Sequence, residues 1–189
     1  MKRPACPESG GTGLFILALT VLLCWSWLEQ QGYPMRAKVY VETSVLSYLA
    51  ARPSRDAITA GRQAITQRWW ETEREKYTLV VSEAVEAECE RGDPQMVERR
   101  RRLLDEISLF PVDERMLELA KRLVAPGAVP DKAGQDAVHI AAAAVEECEF
   151  LLTWNFRHIA NVRIRREVER ILANHGYTKT TICTPEELA

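Results

Sequence analysis

Lys38-Val39-Tyr40-Val41, followed at once by Glu42-Thr43-Ser44, is the stretch on which the architecture turns. Its apolar residues occupy successive rather than alternate positions, the pattern of a parallel strand covered on both faces. Thr43 or Ser44 can cap a helix carrying Val45, Leu46 and Leu49. That helix must stop before Pro53, because the residue preceding a proline is pushed out of the α region.

Working toward the C-terminus, strand-like and helix-like stretches alternate. Asp56 to Lys76 predicts a long helix with Ile58, Ile65 and Trp69 on its apolar side, and Tyr77 to Val81 a second strand. Ser82 begins a helix running to about Arg91, closed by Gly92 and Asp93-Pro94. Gln95 to Ile107 is helical and heavily charged. Ser108 to Val112 is a weaker third strand, in which Pro111 suits only an edge position. Asp113 can cap a helix with Met116, Leu117, Ala120 and Leu123 on one face, and Ala125 to Lys132 is a loop.

Ala133 to Cys148 is an alanine-rich helix with a stripe of Ala137, Ile140, Ala141, Ala144 and Val145. Phe150 to Thr153 is a fourth strand. Helical stretches follow at Phe156 to Ala160 and Arg163 to His175, then a fifth strand at Thr180 to Cys183 and a capped helix start at Thr184-Pro185-Glu186-Glu187. The alternation predicts one three-layer α/β/α domain around a mostly parallel sheet of about five strands.

Toward the N-terminus the character changes. Leu14 to Leu28 is a 15-residue run without a charge, preceded by Lys2 and Arg3. It is shorter than the roughly 20 residues of a membrane-spanning helix and has the length of a signal-peptide core, without a small-residue cleavage site after it. It is either an anchor or export signal, or an extension upstream of a true start at Met35. The second reading is preferred, because everything from Met35 onward reads as a self-contained intracellular domain. Residues 1–34 are therefore treated as a hydrophobic extension and residues 35–189 as the working domain, with membrane attachment expected only if the extension is real.

Composition narrows the chemistry. The chain has 189 residues, 25 Lys and Arg against 27 Asp and Glu, and a net charge of −2. That excludes a strongly basic nucleic-acid coat but not a local basic patch. Five cysteines without a CxxC pair argue against both a disulfide framework and a zinc knuckle. No glycine-rich phosphate loop is present, so nucleotide-cofactor chemistry is not expected.

In open α/β sheets, ligands bind beyond the carboxyl ends of the strands. Glu42 ends the first strand and Asn155 lies just past the fourth. Glu83, Glu86, Glu88 and Glu90 lie on the helix leaving the second strand, and Asp136 in the first turn of the helix entering the fourth. Carboxylates converging there would repel one another unless a cation neutralised them. A dispersed Glu/Asp/Asn set suits Mg²⁺ or Mn²⁺ better than zinc. Each residue also has a plainer role open to it: Asp136 as a helix-start acid, Glu42 as a cap, Glu88 as a solvated helix residue, Asn155 as a cap.

At these residues the chain resembles the PIN-domain ribonucleases, in particular VapC-like toxins of type II toxin–antitoxin systems. Val39-Tyr40-Val41-Glu42-Thr43-Ser44 is similar to that family's opening strand, which normally ends D-T-S or D-T-N. Asp136-Ala137-Val138-His139-Ile140-Ala141 resembles its D-A-x-H-x-A helix. Leu151-Leu152-Thr153-Trp154-Asn155-Phe156-Arg157-His158-Ile159 resembles the strand and turn of the toxins, and Ile182 to Leu188 their terminus.

The resemblance implies a cytoplasmic, Mg²⁺- or Mn²⁺-dependent endoribonuclease that hydrolyses RNA phosphodiesters with metal-activated water. It also implies a cognate antitoxin and a homodimer. Position by position, Glu42 stands at the first acidic site and Asp136 at the third. Glu88-Cys89 best matches the second, with Glu86 in reserve, and Asn155 stands where many members carry a fourth aspartate. Metal would rest on Glu42, Glu88 and Asp136, with Asn155 assisting and Thr43 and Ser44 near the substrate.

Glu42 departs from the family's aspartate by one methylene, and Mg²⁺ is strict about geometry. The alternative is therefore a catalytically impaired module that binds RNA or a protein. His139 and His158 read as core or supporting residues, and Trp69-Trp70 as core or dimer surface. The arginines from Arg99 to Arg102, with Arg163, Arg165 and Arg166, read mainly as solvated helix faces.

Overall fold

A computed structural model describes residues 36–125, Val129 and residues 134–189. The apolar run Leu14 to Leu28 and most of the Ala125 to Lys132 loop lie outside the described residues. Among the described residues, no helix is long and apolar enough to cross a membrane.

The first strand, β1 (Lys38–Val41), lies at the centre of a five-stranded sheet whose order is β3-β2-β1-β4-β5. The others are β2 (Thr78–Ser82), β3 (Ser108–Phe110), β4 (Phe150–Leu152) and β5 (Thr181–Cys183). Every pairing is parallel, with Tyr40 beside Val80 on one side and Leu151 on the other. The central position explains why Val39, Tyr40 and Val41 are all fully buried. The expected α/β/α architecture is thus found, with the sheet wholly parallel.

Among the described residues seven α-helices connect the strands: α1 (Thr43–Ala50), α2 (Ala57–Thr72), α3 (Glu83–Cys89), α4 (Pro94–Leu104), α5 (Glu114–Val124), α6 (Gly134–Val145) and α7 (Val162–Asn174). Parallel crossovers are right-handed. Helices α1 to α4, on the way from β1 out to β3, therefore cover one face of the sheet. The order then reverses to reach β4 and β5, so α5, α6 and α7 cover the other. This reversal lies between β1 and β4, and in open α/β sheets ligands bind beyond the carboxyl ends of the strands at such a position.

Several local expectations are corrected. The residue capping α1 is Glu42, not Thr43 or Ser44, and its side chain accepts from the Ser44 amide. Ile58 is 68% exposed, because burial on α2 is confined to Thr66, Trp69 and Trp70 in its second half. Leu117 also faces outward, since the buried stripe of α5 runs through Met116, Leu119, Ala120 and Leu123. Phe156 to Ala160 is a turn rather than a helix, its Ile159 and Ala160 amides both bonding to the Asn155 carbonyl. The chain end is likewise a single turn, in which Thr184 and Glu187 cap each other reciprocally.

Other expectations hold. The third strand lies at the edge and ends before Pro111. Gly92 closes α3 with a φ of +98°, a conformation costly for any residue with a side chain. Trp69 and Trp70 are core, and the Trp69 indole donates to the Leu188 carbonyl at 3.2 Å. Cys89, Cys148 and Cys183 are free and buried, and burial pushes each thiol up to about 12. Such thiols are inert at neutral pH.

Candidate active site

Glu42 leaves β1 while still in register, its amide donating to the Leu152 carbonyl at 3.0 Å. This places its side chain at the carboxyl edge of β1, beside the end of β4. There it is 5% exposed, and Oε2 accepts from the Ser44 amide at 3.1 Å, the Thr153 hydroxyl at 2.7 Å and the Ser44 hydroxyl. A buried carboxylate requires such donors, since burial of an unpaired charge is severely unfavourable.

Glu88 comes from α3, on the other side of β1. Its Oε2 accepts from the Thr43 hydroxyl and lies 3.2 Å from His139 Nε2. Partial burial raises its pKa, but the His139 hydrogen bond and charge, the Thr43 hydroxyl and Arg91 outweigh that and hold it below the usual range. Glu86, the reserve candidate, is exposed to solvent. Helix periodicity separates the two: at a spacing of two, residues face different directions.

His139 is fully buried on α6, one turn after Asp136. A carboxylate is an acceptor only, so Nε2 carries the proton directed at Glu88. Nδ1 meets the Tyr40 hydroxyl at 2.7 Å, and that hydroxyl meets Ser82 Oγ at 2.7 Å. Burial lowers the pKa of His139, yet the Glu88 hydrogen bond and the charges of Glu42, Glu88 and Asp136 raise it overall. Burial also raises the Tyr40 hydroxyl, with Glu42 and Glu88 adding to the shift. The rise at His139 is thus the work of the nearby carboxylates, whereas that at Tyr40 comes mainly from burial.

Asp136 forms a second cluster. Its Oδ1 accepts from the Asn155 amide nitrogen at 2.7 Å, and its Oδ2 contacts His158 Nδ1 at 2.8 Å. Asn155 also accepts the His158 backbone amide on Oδ1 at 3.1 Å, so both ends of its carboxamide are engaged within the protein. Thr153 links the clusters, donating to Glu42 and accepting the Asn155 amide at 2.9 Å.

The structure therefore brings Glu42 and Glu88 together and adds His139, with ligand atoms of the three within 4.8 Å of one another. Asp136 stands outside that trio, held by Asn155 and His158. Thr43 and Ser44 turn their hydroxyls to the carboxylates, and the Ser44 oxygen also accepts the Trp154 amide at 2.8 Å. Sequence reasoning missed Thr153 and Tyr40; it read His139 as a core or supporting residue, and the structure shows it buried and supporting Glu88. The spacing of three between Asp136 and His139 was the available signal, since such residues share a helix face.

The donor chemistry fits a hard divalent cation. Oxygen ligands dominate, and neither Glu42 Oε1 nor Glu88 Oε1 accepts a hydrogen bond among the described residues. The arginine run on α4 offers no comparable site. Arg99 and Arg100 donate to backbone carbonyls, and Arg101 and Arg102 pair with Glu90 and Glu98.

No family model and no curated protein matches the chain. Solved structures similar to it include the following two. One is VapC20 of Mycobacterium tuberculosis, a toxin that cleaves the sarcin-ricin loop. It is 19% identical with a TM-score of 0.46, over 60% of this chain and 86% of that one. The other is VapBC2 of Rickettsia felis, bound to a DNA fragment from its promoter. It is 11% identical with a TM-score of 0.49, over 78% of this chain and 98% of that one.

Proposed function

We propose that this protein is a divalent-metal-dependent endoribonuclease of the PIN-domain type, acting as the toxin of a toxin–antitoxin pair in the cytoplasm. The observation that carries the reading is the convergence of Glu42 and Glu88 at the carboxyl edge of an all-parallel sheet, each with one carboxylate oxygen uncommitted. The motif resemblance at Glu42, Asp136 and Asn155 supports it.

Glu42 and Glu88 would hold the ion, with Asp136 as the third acid of the set. A bound Mg²⁺ or Mn²⁺ supplies positive charge against the phosphodiester and lowers the pKa of an attacking water. The chain's own residues provide orientation. Ser44 and Thr153 fix Glu42, Thr43 and His139 fix Glu88, and Asn155 and His158 fix Asp136. Such supporting bonds commonly matter ten- to a hundredfold to metal affinity or activity. A cognate antitoxin and a second copy of the chain belong to the same reading as partners.

The direct test is cleavage of single-stranded and looped RNA by the purified chain. Activity should require Mg²⁺ or Mn²⁺, vanish with EDTA, and be lost in Glu88→Gln. EDTA-resistant cleavage, or none under any condition, overturns the reading.

A second reading is favoured by Glu42 itself. Its Oε2 receives three donors, one of them the helix-capping amide of Ser44, which ties the carboxylate into the fold. A module that binds RNA or a protein with little turnover would show the same commitment.

A further inference from the structure

We propose that the ring of Phe156 and the guanidinium of Arg62 form a stacking subsite for a nucleobase of single-stranded RNA flanking the acidic site. The inference rests on the ribonuclease reading and extends it to how substrate is held.

Phe156 directly follows Asn155, the residue that brackets Asp136, and is 40% exposed. The centre of the Arg62 guanidinium lies 4.8 Å from the Phe156 ring centroid and 5.6 Å from that of Trp154. Trp154 is the fixed base of the arrangement. It is 5% exposed, its indole donates to Thr66 Oγ1 at 2.8 Å, and Tyr48 meets it edge-on. Ile58, Arg62 and Thr66 follow at intervals of four on α2, so they share one helix face. That face runs from buried Thr66, past Arg62 over the rings, to exposed Ile58.

The chemistry of Arg62 sets it apart. Among the described residues its guanidinium makes no hydrogen bond and no ion pair, and it lies over two aromatic rings. Arg74, which also lies over a ring, that of Trp70, is by contrast paired with Glu106. A planar cation lying on an exposed ring is a surface on which any base can stack, because every base has a π face. Its five N–H donors stay available to a phosphate oxygen. Exposed Arg157 adds positive charge at the next position. A carboxylate-lined centre with an adjoining cation–aromatic platform suits a polyanion carrying flat bases better than an apolar protein segment.

The platform is also held in place. The turn carrying Phe156 is closed by the Asn155 carbonyl, and the Phe156 amide donates to the Trp154 carbonyl at 2.9 Å. The turn thereby joins the platform directly to Asn155, which is hydrogen-bonded to Asp136.

The test measures cleavage of short single-stranded RNA by the full chain, with kcat and KM separated. Phe156→Ala and Phe156→Leu should raise KM about tenfold, leave kcat nearly unchanged, and retain the native melting temperature. Phe156→Tyr should restore KM. An oligonucleotide with an abasic site at the stacked position should raise the native KM by the same factor, with no further loss in Phe156→Ala. An unchanged KM in Phe156→Ala, or a loss that persists with every abasic substrate, overturns the stacking subsite while leaving the ribonuclease reading standing. An unchanged KM together with lost binding of a protein partner assigns the face to protein contact instead, and also overturns it. No cleavage by the native chain refutes the ribonuclease reading and the subsite with it.

Discussion

Thr153 donates its hydroxyl proton to Glu42 at 2.7 Å, joining two residues 111 positions apart in the chain. The bond exists because β1 and β4 are parallel neighbours whose ends coincide. Replacing Thr153 with valine keeps the shape and removes the donor. The loss should cost about 1–3 kcal/mol of stability, because Glu42 loses one of three donors and the Asn155 backbone amide loses its acceptor. RNA cleavage should fall ten- to a hundredfold. Thermal melting and steady-state cleavage check the two effects, and native activity in this variant would remove Thr153 from the supporting shell.

Asp136→Asn should abolish cleavage while leaving the fold intact. The substitution removes the negative charge in place and keeps the side chain's size. Circular dichroism should match the native spectrum, and expression in cells should no longer be toxic. Undiminished cleavage would show that the third acid is not part of the machinery.

Binding of a divalent ion should be visible without any turnover. A ligand that binds only the folded chain stabilises it by about 2.7 kcal/mol at a hundredfold excess over its Kd. For a domain of this size that corresponds to a rise of very roughly 5–10 °C in Tm. The rise should appear with Mn²⁺ and be absent in Glu88→Gln. Equal shifts in both proteins would place the ion elsewhere.

Glu42→Asp separates the two functional readings. If the longer side chain has displaced the carboxylate from a working position, aspartate should raise cleavage sharply. If Glu42 already serves, the change should be small or adverse, because the shorter chain must still reach Ser44 and Thr153. Measured kcat with Mg²⁺ and Mn²⁺ decides between them.

The Arg165–Glu187 pair sets a pH dependence of its own. Two guanidinium N–H groups at 2.9 Å, with the Thr184 amide, hold the Glu187 carboxyl down at about 2. Its unfolded value is the ordinary 4.5. A depressed folded pKa stabilises above the unfolded value, and that stabilisation is lost as pH falls from about 4.5 toward 2. The carboxylate is half exposed, so the effect stays below about 1 kcal/mol. Glu187→Gln should therefore lower stability slightly at pH 7, and the difference from native should shrink on acidification. Denaturant titrations at several pH values would show it, and a constant difference would contradict the assignment.

Much of this architecture was legible along the chain. Lys38 to Val41 announced a strand covered on both faces, Pro111 an edge, and Asp113 a helix start, because periodicity, φ restriction and capping act between near neighbours. Glu42 and Asp136 could be named for the same reason: each stands at an element boundary that local pattern defines. Where pattern was short, reading along the chain went wrong. Phe156 to Ala160 carries helical spacing, but Asn155 closes it as a turn, and Ile58 extends an apolar face beyond the part of α2 that is covered.

What the sequence determined by itself was the alternation of elements and the presence of acids at their ends. The tertiary structure decided which acids meet. It chose Glu88 over Glu86 by the rotation of α3, set Thr153 on Glu42 by the pairing of β4 with β1, and placed His139 between Tyr40 and Glu88. Those choices depend on strand order and helix rotation, which arise from burial summed over the whole sheet and leave no mark in any one short stretch of residues.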